Sequence, residues 1–251
     1  MNYKVLKKKE QKEEKWSGGK TAELAIQPKD ASVKDKDFQW RLSTATCKRD
    51  KAKFTPYEGY DRVLFNLEES EAVLEHSAAG NEDAEKREVK LGELQKDEFD
   101  GGEKTVAHGL KRDYNLIIRK DCKYQAEVID QIQAGAGVNQ DKSVPVGDKG
   151  EASFLAIDSI IKGKRVPMQL ASEEGFEHVT QALYCVDGFS SVHVEVTDTS
   201  VVTNVEDAPT DINILRLAEG EQLVVNYRAS ERIKMTFKGA GRLIRCQLFY
   251  N

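Results

Sequence analysis

The sequence predicts an all-β protein built as two similar small barrels. Three observations carry that expectation. Short apolar runs alternate with polar residues at period two along most of the chain, the pattern of half-buried strands. Helical periodicity is nearly absent, and polar turns separate the runs at the spacing of sandwiches and barrels. The run Val63-Leu64-Phe65-Asn66-Leu67-Glu68 is echoed by Ala182-Leu183-Tyr184-Cys185-Val186-Asp187, each standing before a second strand. A chain of 251 residues has room for two such units, here 1–122 and 123–251.

Composition narrows the function classes. Lys and Arg number 38 against 43 Asp and Glu, well spread, for a net charge of −5, so no basic stripe suits a phosphate backbone and no nucleic-acid partner is expected. The mixed run Lys7 to Lys15 is neutralised by Glu10, Glu13 and Glu14 and reads as a solvated loop or helical turn rather than a binding arm. Cys47, Cys122, Cys185 and Cys246 are far apart, which fits small reduced core residues and gives no zinc knuckle. No apolar run approaches the ~18 residues of a membrane span, and Lys7-Lys8-Lys9 follows the start with no hydrophobic stretch, so no signal peptide is expected. The expected location is the cytoplasm, away from membranes.

Taken in order, Tyr3 to Leu6 reads as a short opening strand. Trp16-Ser17-Gly18-Gly19 is a glycine turn that hands over to a strand. In that strand Ala22, Leu24 and Ile26 point one way, and Thr21 and Glu23 the other. After a polar loop from Lys29 to Asp37, the run to Cys47 places Phe38, Trp40, Leu42 and Thr44 on one side. Gln39, Arg41, Ser43 and Ala45 fall on the other. Phe54 to Glu68 is a turn around Pro56 and Gly59 and then a strand in which Arg62, Leu64 and Asn66 share a face. Ala72 to His76 and Val89 to Leu94 are shorter strands, Phe99 to Gly102 is a tight turn, and Asp113 to Lys120 closes the first half. Gly80 to Glu88 reads as an acidic loop and Ala134 to Gly150 as a long polar connection. Strands return at 153–161, 179–186, 192–196, 213–217, 222–227, 233–237 and 243–249.

The segments WSGGKTAELAI, DFQWRLSTATC, FTPYEGYDRVLFNLEES, FDGG and DYNLIIRK come in the order and spacing of the HutD/Ves family, which the first 122 residues resemble. Beyond them the likeness continues only as a strand pattern. Against that family, the stretches near 77–88 and 135–150 look like insertions. The resemblance implies a bacterial bicupin, two RmlC-like jelly-roll β-barrels, without established enzymatic activity. It further implies a link to histidine utilisation and the binding of a small acidic metabolite, with N-formylglutamate the candidate. The motif positions carried over are Trp16, Gly18, Gly19, Thr21, Glu23, Trp40, Arg41, Ser43, Arg62, Asp100 and Asn115.

Metal-binding cupins use a His-x-His pair with a carboxylate and a later histidine. The matching strand here reads Gly59-Tyr60-Asp61-Arg62-Val63, and His76, His108, His178 and His193 form no pair, so neither metal nor cofactor is expected. Strand alternation instead lets Thr21, Glu23, Arg41, Ser43, Arg62 and Asn115 converge on one face. Arg41 and Arg62 offer planar forks for a carboxylate. Ser43, Thr21 and Asn115 would orient amide or carbonyl groups, and Trp16 or Trp40 would form an apolar wall. The competing reading is a packed polar network in which Glu23 pairs with Arg41, and Arg62 with Asp61 or Asp100. An enzymatic alternative uses Glu23 or Asp100 as base and His108 as acid. A third is an interaction scaffold, with a homodimer among its arrangements.

Overall fold

The computed structural model describes residues 1–78, 86–131, 159–160, 174–197, 210–229 and 231–251. The expected connection near 135–150, most of the loop near 77–88 and most of the expected strand 153–161 lie outside them.

The chain divides into an N-terminal unit, Lys9–Cys122, and a C-terminal unit formed by Lys123–Asn251 together with Met1–Lys8. Met1–Lys8 carries β1 (Asn2–Leu6). The N-terminal unit holds β2 (Glu13–Lys15), β3 (Gly19–Gln27), β4 (Trp40–Cys47), β5 (Lys51–Lys53) and β6 (Tyr60–Asn66). It continues with β7 (Ala72–Ser77), β8 (Arg87–Leu91), β9 (Lys96–Asp100), β10 (Lys104–His108) and β11 (Arg112–Arg119). The C-terminal unit adds β12 (Lys123–Asp130), β13 (Ser159–Ile160), β14 (His178–Cys185), β15 (Phe189–Thr197) and β16 (Thr210–Ala218). Last come β17 (Gln222–Arg228), β18 (Arg232–Ala240) and β19 (Arg242–Tyr250).

In the N-terminal unit a six-stranded sheet runs β2-β3-β4-β11-β6-β9 and a four-stranded sheet runs β5-β10-β7-β8. The C-terminal unit has a five-stranded sheet, β1-β17-β14-β19-β12, and a four-stranded sheet, β13-β18-β15-β16. The two halves repeat. β6 lies between β11 and β9 as β14 lies between β19 and β17, and β7 lies between β8 and β10 as β15 lies between β16 and β18. The sequence echo at Val63 and Ala182 therefore marks the start of a duplicated six-strand jelly roll. Among the described residues no strand joins the two sheets of a unit by hydrogen bonds, so each unit is a pair of facing sheets.

Each unit buries its own core. In the N-terminal unit Leu64 and Phe99 pack on Ala72, Leu74, Leu91 and Ala107. In the C-terminal unit Leu183, Leu223, Leu243 and Phe249 pack on Val192, Val194, Leu217 and Met235. Full burial of such a Leu, Val or Phe side chain contributes roughly 1.5–3 kcal/mol, which is why period two decides the face each strand turns inward.

Three expectations need correction. Residues 1–8 belong with the C-terminal unit: β1 pairs along its length with β17, Val5 opposite Leu223, and Val5 packs on the C-terminal core. Ile26 does not share a face with Ala22 and Leu24, because the β3–β4 register shifts between Glu23 and Ala25. That bulge inserts one residue and swaps the sides, so Ile26 stands opposite Arg41 and packs against Phe38, Tyr57, Tyr60 and Ile117. Finally, the run read as a turn at Phe99 begins earlier as strand β9, whose buried Asp97 and Phe99 alternate with exposed Lys96, Glu98 and Asp100. With a single apolar residue in five, its alternation carried no hydrophobic signal.

Candidate functional site

The site begins at the glycine turn. Trp16 and Gly19 exchange two backbone hydrogen bonds, 3.1 and 3.2 Å, closing a tight hairpin between β2 and β3. A Cβ on Gly19 would overlap the Thr46 carbonyl oxygen, and one on Gly18 would run into the Trp16 indole. Close approach is thus what both glycines provide. It folds the indole inward, edge-on to Phe54 with ring centres 6.2 Å apart.

Register then aligns the polar residues. Ser43 of β4 is opposite Asn115 of β11, and Arg41 opposite Ile117, which in turn is opposite Arg62 of β6. Glu23 and Thr21 of β3 stand opposite Ser43 and Ala45. The result is a cavity of about 220 Å³ walled by Trp16, Thr21, Arg41, Ser43, Arg62, Asp113 and Asn115, with Val33, Phe54, Tyr57 and Ile117 as apolar lining. That volume is below the ~300–1,000 Å³ of drug-sized pockets, and suits a small metabolite.

Arg41, though 7% exposed, is only partly engaged: its Nε donates to Glu23 Oε2 at 3.0 Å and its Nη1 to Ser43 Oγ at 3.2 Å. Arg62, 5% exposed, sits with its guanidinium 4.8 Å from the centre of the Phe54 ring and 5.3 Å from that of Phe99, and gives one long hydrogen bond, 3.5 Å, to the Thr55 carbonyl. Burial pulls its pKa down to about 10, against the opposing pull of Asp113. Burial pushes Asp113 up to about 7, and the charge of Arg62 only partly offsets that. Three buried polar atoms of this wall, Trp16 Nε1, Arg62 Nε and Asn115 Oδ1, have no hydrogen-bond partner among the described residues. Native interiors leave few such atoms, and each costs about 1–3 kcal/mol.

The sequence-derived candidates thus separate. Trp16, Thr21, Arg41, Ser43, Arg62 and Asn115 meet at the cavity. Glu23 stands behind Arg41 as its ion partner. Trp40 is buried on the opposite face of β4, as alternation requires, and lies off the cavity wall. Asp100 is on the surface, bonded to Lys120 Nζ at 2.5 Å and to the Gly102 amide at 2.8 Å, and it closes its own turn. His108, on β10, is also off the wall, so the acid–base pairing of Glu23 or Asp100 with His108 has no common centre there. The expected Arg62 pairing with Asp61 or Asp100 is replaced by the influence of Asp113. Asp113 and Phe54 were not among the candidates. The signal for Asp113 was present, since it lies two residues before Asn115 on the same strand face.

The duplicated half supplies an internal comparison. Superposing the echoed runs places Arg62 on Gln181. Strand register then sets Ile117, Asn115 and Ser43 against Gln247, Arg245 and Glu127. There the buried Arg245 is satisfied by its neighbours, Gln181 and Gln247 inside and the half-exposed Glu127. Arg245 donates to Gln181 at 3.0 Å, to Glu127 at 2.6 Å and to Gln247 at 2.9 Å, and Gln181 donates to the Tyr227 hydroxyl at 3.1 Å.

Elsewhere in the N-terminal unit, His76 is buried with Asp97 Oδ2 2.8 Å from Nε2, while Thr105 Oγ1 at 3.0 Å and Glu103 Oε2 at 3.3 Å face Nδ1. The carboxylates flank opposite ring nitrogens instead of converging. Among the described residues no group of three His, Cys, Asp or Glu side chains could hold a metal ion. All four cysteines are buried free thiols, and burial pushes Cys122 and Cys185 up to about 12.

The sequence profile of the HutD family matches residues 8–154, more than half of the chain. The chain belongs to the HutD family. HutD from Pseudomonas fluorescens SBW25 shares its fold over 98% of both chains, with TM-score 0.53 and 18% identity. A conserved protein of unknown function from Pseudomonas aeruginosa PAO1 covers 99% of both chains with TM-score 0.58 and 15% identity. A mutant of Bacillus subtilis oxalate decarboxylase matches 98% of this chain and 77% of its own, with TM-score 0.50 and 8% identity. These likenesses show the fold, that of a bicupin. Peptide chain release factor 1 of Clostridioides difficile (strain 630) is 23% identical over 220 residues, 76% of this chain. The chain spans 59% of the length of that curated relative, and the likeness is too weak to assign a family. No helix among the described residues of this HutD-family chain is long and apolar enough to cross a membrane.

Proposed function

We propose that this HutD-family protein binds a small carboxylate-bearing metabolite in the cavity of its N-terminal unit and, as a cytoplasmic protein, modulates histidine utilisation. Family membership supports the tie to histidine utilisation. The observation that carries the binding reading is the contrast between the two halves. In the C-terminal unit the buried Arg245 and Gln181 are satisfied by their neighbours. In the N-terminal unit the matching Arg62 and Asn115, with Arg41 and Trp16 beside them, present two guanidinium groups, one partner carboxylate on Arg41, and the unmatched atoms of Trp16, Arg62 and Asn115. Guanidinium forks with unused donors in a partly apolar cavity fit a carboxylate, whose charge would also offset the buried cation Arg62.

The test is thermal unfolding of the protein with N-formylglutamate, glutamate, urocanate or histidine, repeated on Arg41→Ala. A ligand at ~100 times its dissociation constant adds about 2.7 kcal/mol, a rise of roughly 5–10 °C for a chain of this size. A rise with one acid that disappears in Arg41→Ala supports the reading. A flat response to all four counts against it, and leaves the cavity as a costly polar network.

A further inference from the structure

The charges of the cavity wall can be counted. Arg41 of β4 and Arg62 of β6 occupy one register row, each opposite Ile117 of β11, and Glu23 of β3 is paired with Arg41 at 3.0 Å. Asp113 lies four residues along β11 from that row, roughly 13 Å at about 3.4 Å per residue. Glu14 and Lys15 of β2 also line the cavity, and their charges cancel. With Asp113 ionised, two carboxylates balance two guanidinium groups. With Asp113 protonated, one positive charge is left over.

The neighbours of Asp113 do little to hold its charge. Ala45 on one flank offers no side-chain donor, and Asn66 on the other directs its amide at the backbone carbonyls of Glu68, Ser70, Leu91 and Gly92. Lys111 and Arg112, just before it in the chain, are paired with Asp50 and Glu68 instead. On β4 the Cys47 thiol, pushed up by burial and by the Asp113 charge, stays neutral. Tyr57, on the turn before β6, brings neither cation nor carboxylate to the wall. At 3% exposure Asp113 is withdrawn from bulk water, and burial, only partly offset by Arg62, moves its titration up to about 7.

Building on the carboxylate reading above, we propose that acid binding is proton-coupled: a carboxylate on the Arg41–Arg62 row is taken up together with one proton, which Asp113 holds. The ligand anion replaces the negative charge that Asp113 gives up, so the occupied wall stays balanced. An ionised Asp113 would instead leave a surplus negative charge in a water-poor cavity, and a nearby like charge favours the protonated carboxyl. The proton comes from solvent and goes to a carboxylate oxygen of Asp113, and no bond of the ligand breaks. Occupancy therefore rises as pH falls through neutrality, and the cavity responds to acidity as well as to the concentration of the acid.

Calorimetric titration of the full chain with acetate, glutarate and N-formylglutamate tests this at about pH 7.5 in triethanolamine and in Tris. These buffers differ in heat of ionisation, so the difference in binding heat reads the protons taken up, and neither brings an anion that resembles the ligand. A group titrating at about 7 in the empty cavity takes up about three quarters of a proton at that pH, and affinity falls about tenfold from pH 6 to 8. In Asp113→Asn both effects vanish. If that variant does not fold, infrared difference spectra of the parent at about pH 8 decide: a protonated-carboxyl band gained on binding supports the inference, and its absence overturns it. Binding without proton uptake, or uptake that survives Asp113→Asn, overturns this inference and leaves the carboxylate reading standing. No binding by any of the three acids overturns the carboxylate reading, and this inference with it.

Discussion

Asp113 and Arg62 face one cavity from neighbouring strands, and neither neutralises the other. Burial lifts the Asp113 carboxyl to about 7 despite the nearby cation, and burial lowers Arg62 to about 10 despite the nearby acid. A pair optimised for stability would show the opposite shifts, because attraction would then exceed the cost of desolvation. The cavity holds this imbalance on otherwise well-packed strands.

The first consequence is a pH dependence of stability. An unfolded chain releases the Asp113 proton near pH 4, whereas the folded chain keeps it until about pH 7. Between those values the native state binds more protons, so this residue lowers stability as pH rises, by ~4 kcal/mol in full. Denaturant unfolding of the parent and of Asp113→Asn from pH 4 to 8 should show the variant gaining on the parent across that window and levelling off above it. Parallel curves would mean that Asp113 is solvated.

Arg62 should be dispensable for folding and needed for binding. Its Nε lacks a partner among the described residues and its single hydrogen bond is long. Arg62→Met keeps the contacts with Phe54 and Phe99 and removes the buried charge. The expected result is an unfolding midpoint within a few degrees of the parent and loss of any acid-induced rise, read in the same melting experiment.

The matched change in the C-terminal unit should do the reverse. Arg245→Met strands the buried Gln181 and Gln247 and unpairs the half-exposed Glu127, each of which accepts from that guanidinium. Breaking a buried network of this kind costs about 3–5 kcal/mol. Equilibrium unfolding should register that loss, while acid binding in the N-terminal unit persists.

The His76 cluster gives an acid-side prediction. Burial tends to raise Asp97, but its contacts with His76 and Arg87 outweigh burial and hold the carboxyl below its usual range. A carboxyl lowered in the folded state contributes stability above its unfolded pKa, near 4, and loses it as pH falls through its folded value. Asp97→Asn should therefore be less stable than the parent by a few kcal/mol at pH 7, and the gap should narrow on acidification below about pH 4. A constant gap would point to lost packing alone.

Gly18→Ala tests how the wall is positioned. The new methyl would occupy the space of the Trp16 indole and move it out of the cavity. The expected outcome is a changed intrinsic fluorescence from Trp16, with Trp40 buried and unaffected, together with weaker acid binding. Unchanged fluorescence would mean that the turn absorbs the methyl.

Much of this was legible in the residues, because alternation is a local rule. Arg41 with Ser43, and Arg62 with Leu64 and Asn66, were separable into faces with no knowledge of partners. Convergence was visible only where strands are regular. The register shift at Glu23 moves Ile26 to the other side, and nothing in Glu-Leu-Ala-Ile announces it. Asp113 shares the face of Asn115 by parity, but its burial depends on β6 and β4 closing over both flanks, which no local pattern announces. Trp40 attracted attention as a large aromatic, yet its parity with Leu42 placed it in the core. The strands β5, β9 and β10 carry too few apolar residues for period two to show.

The pairing of β1 with β17 gives the chain a kinetic as well as an architectural character. Asn2 emerges during synthesis more than two hundred residues ahead of its partner Asn226. The opening strand must therefore wait, unpaired, while more than two hundred residues follow it. Cutting the chain after residue 122 does not yield two independent halves. A fragment starting at Lys123 would expose the outer edge of β17 to any strand that could reach it, and self-association is the natural fate of such an edge. A circular permutant that joins Asn251 to Met1 and opens at Lys9 keeps that edge covered and places both partners on the same side of the cut.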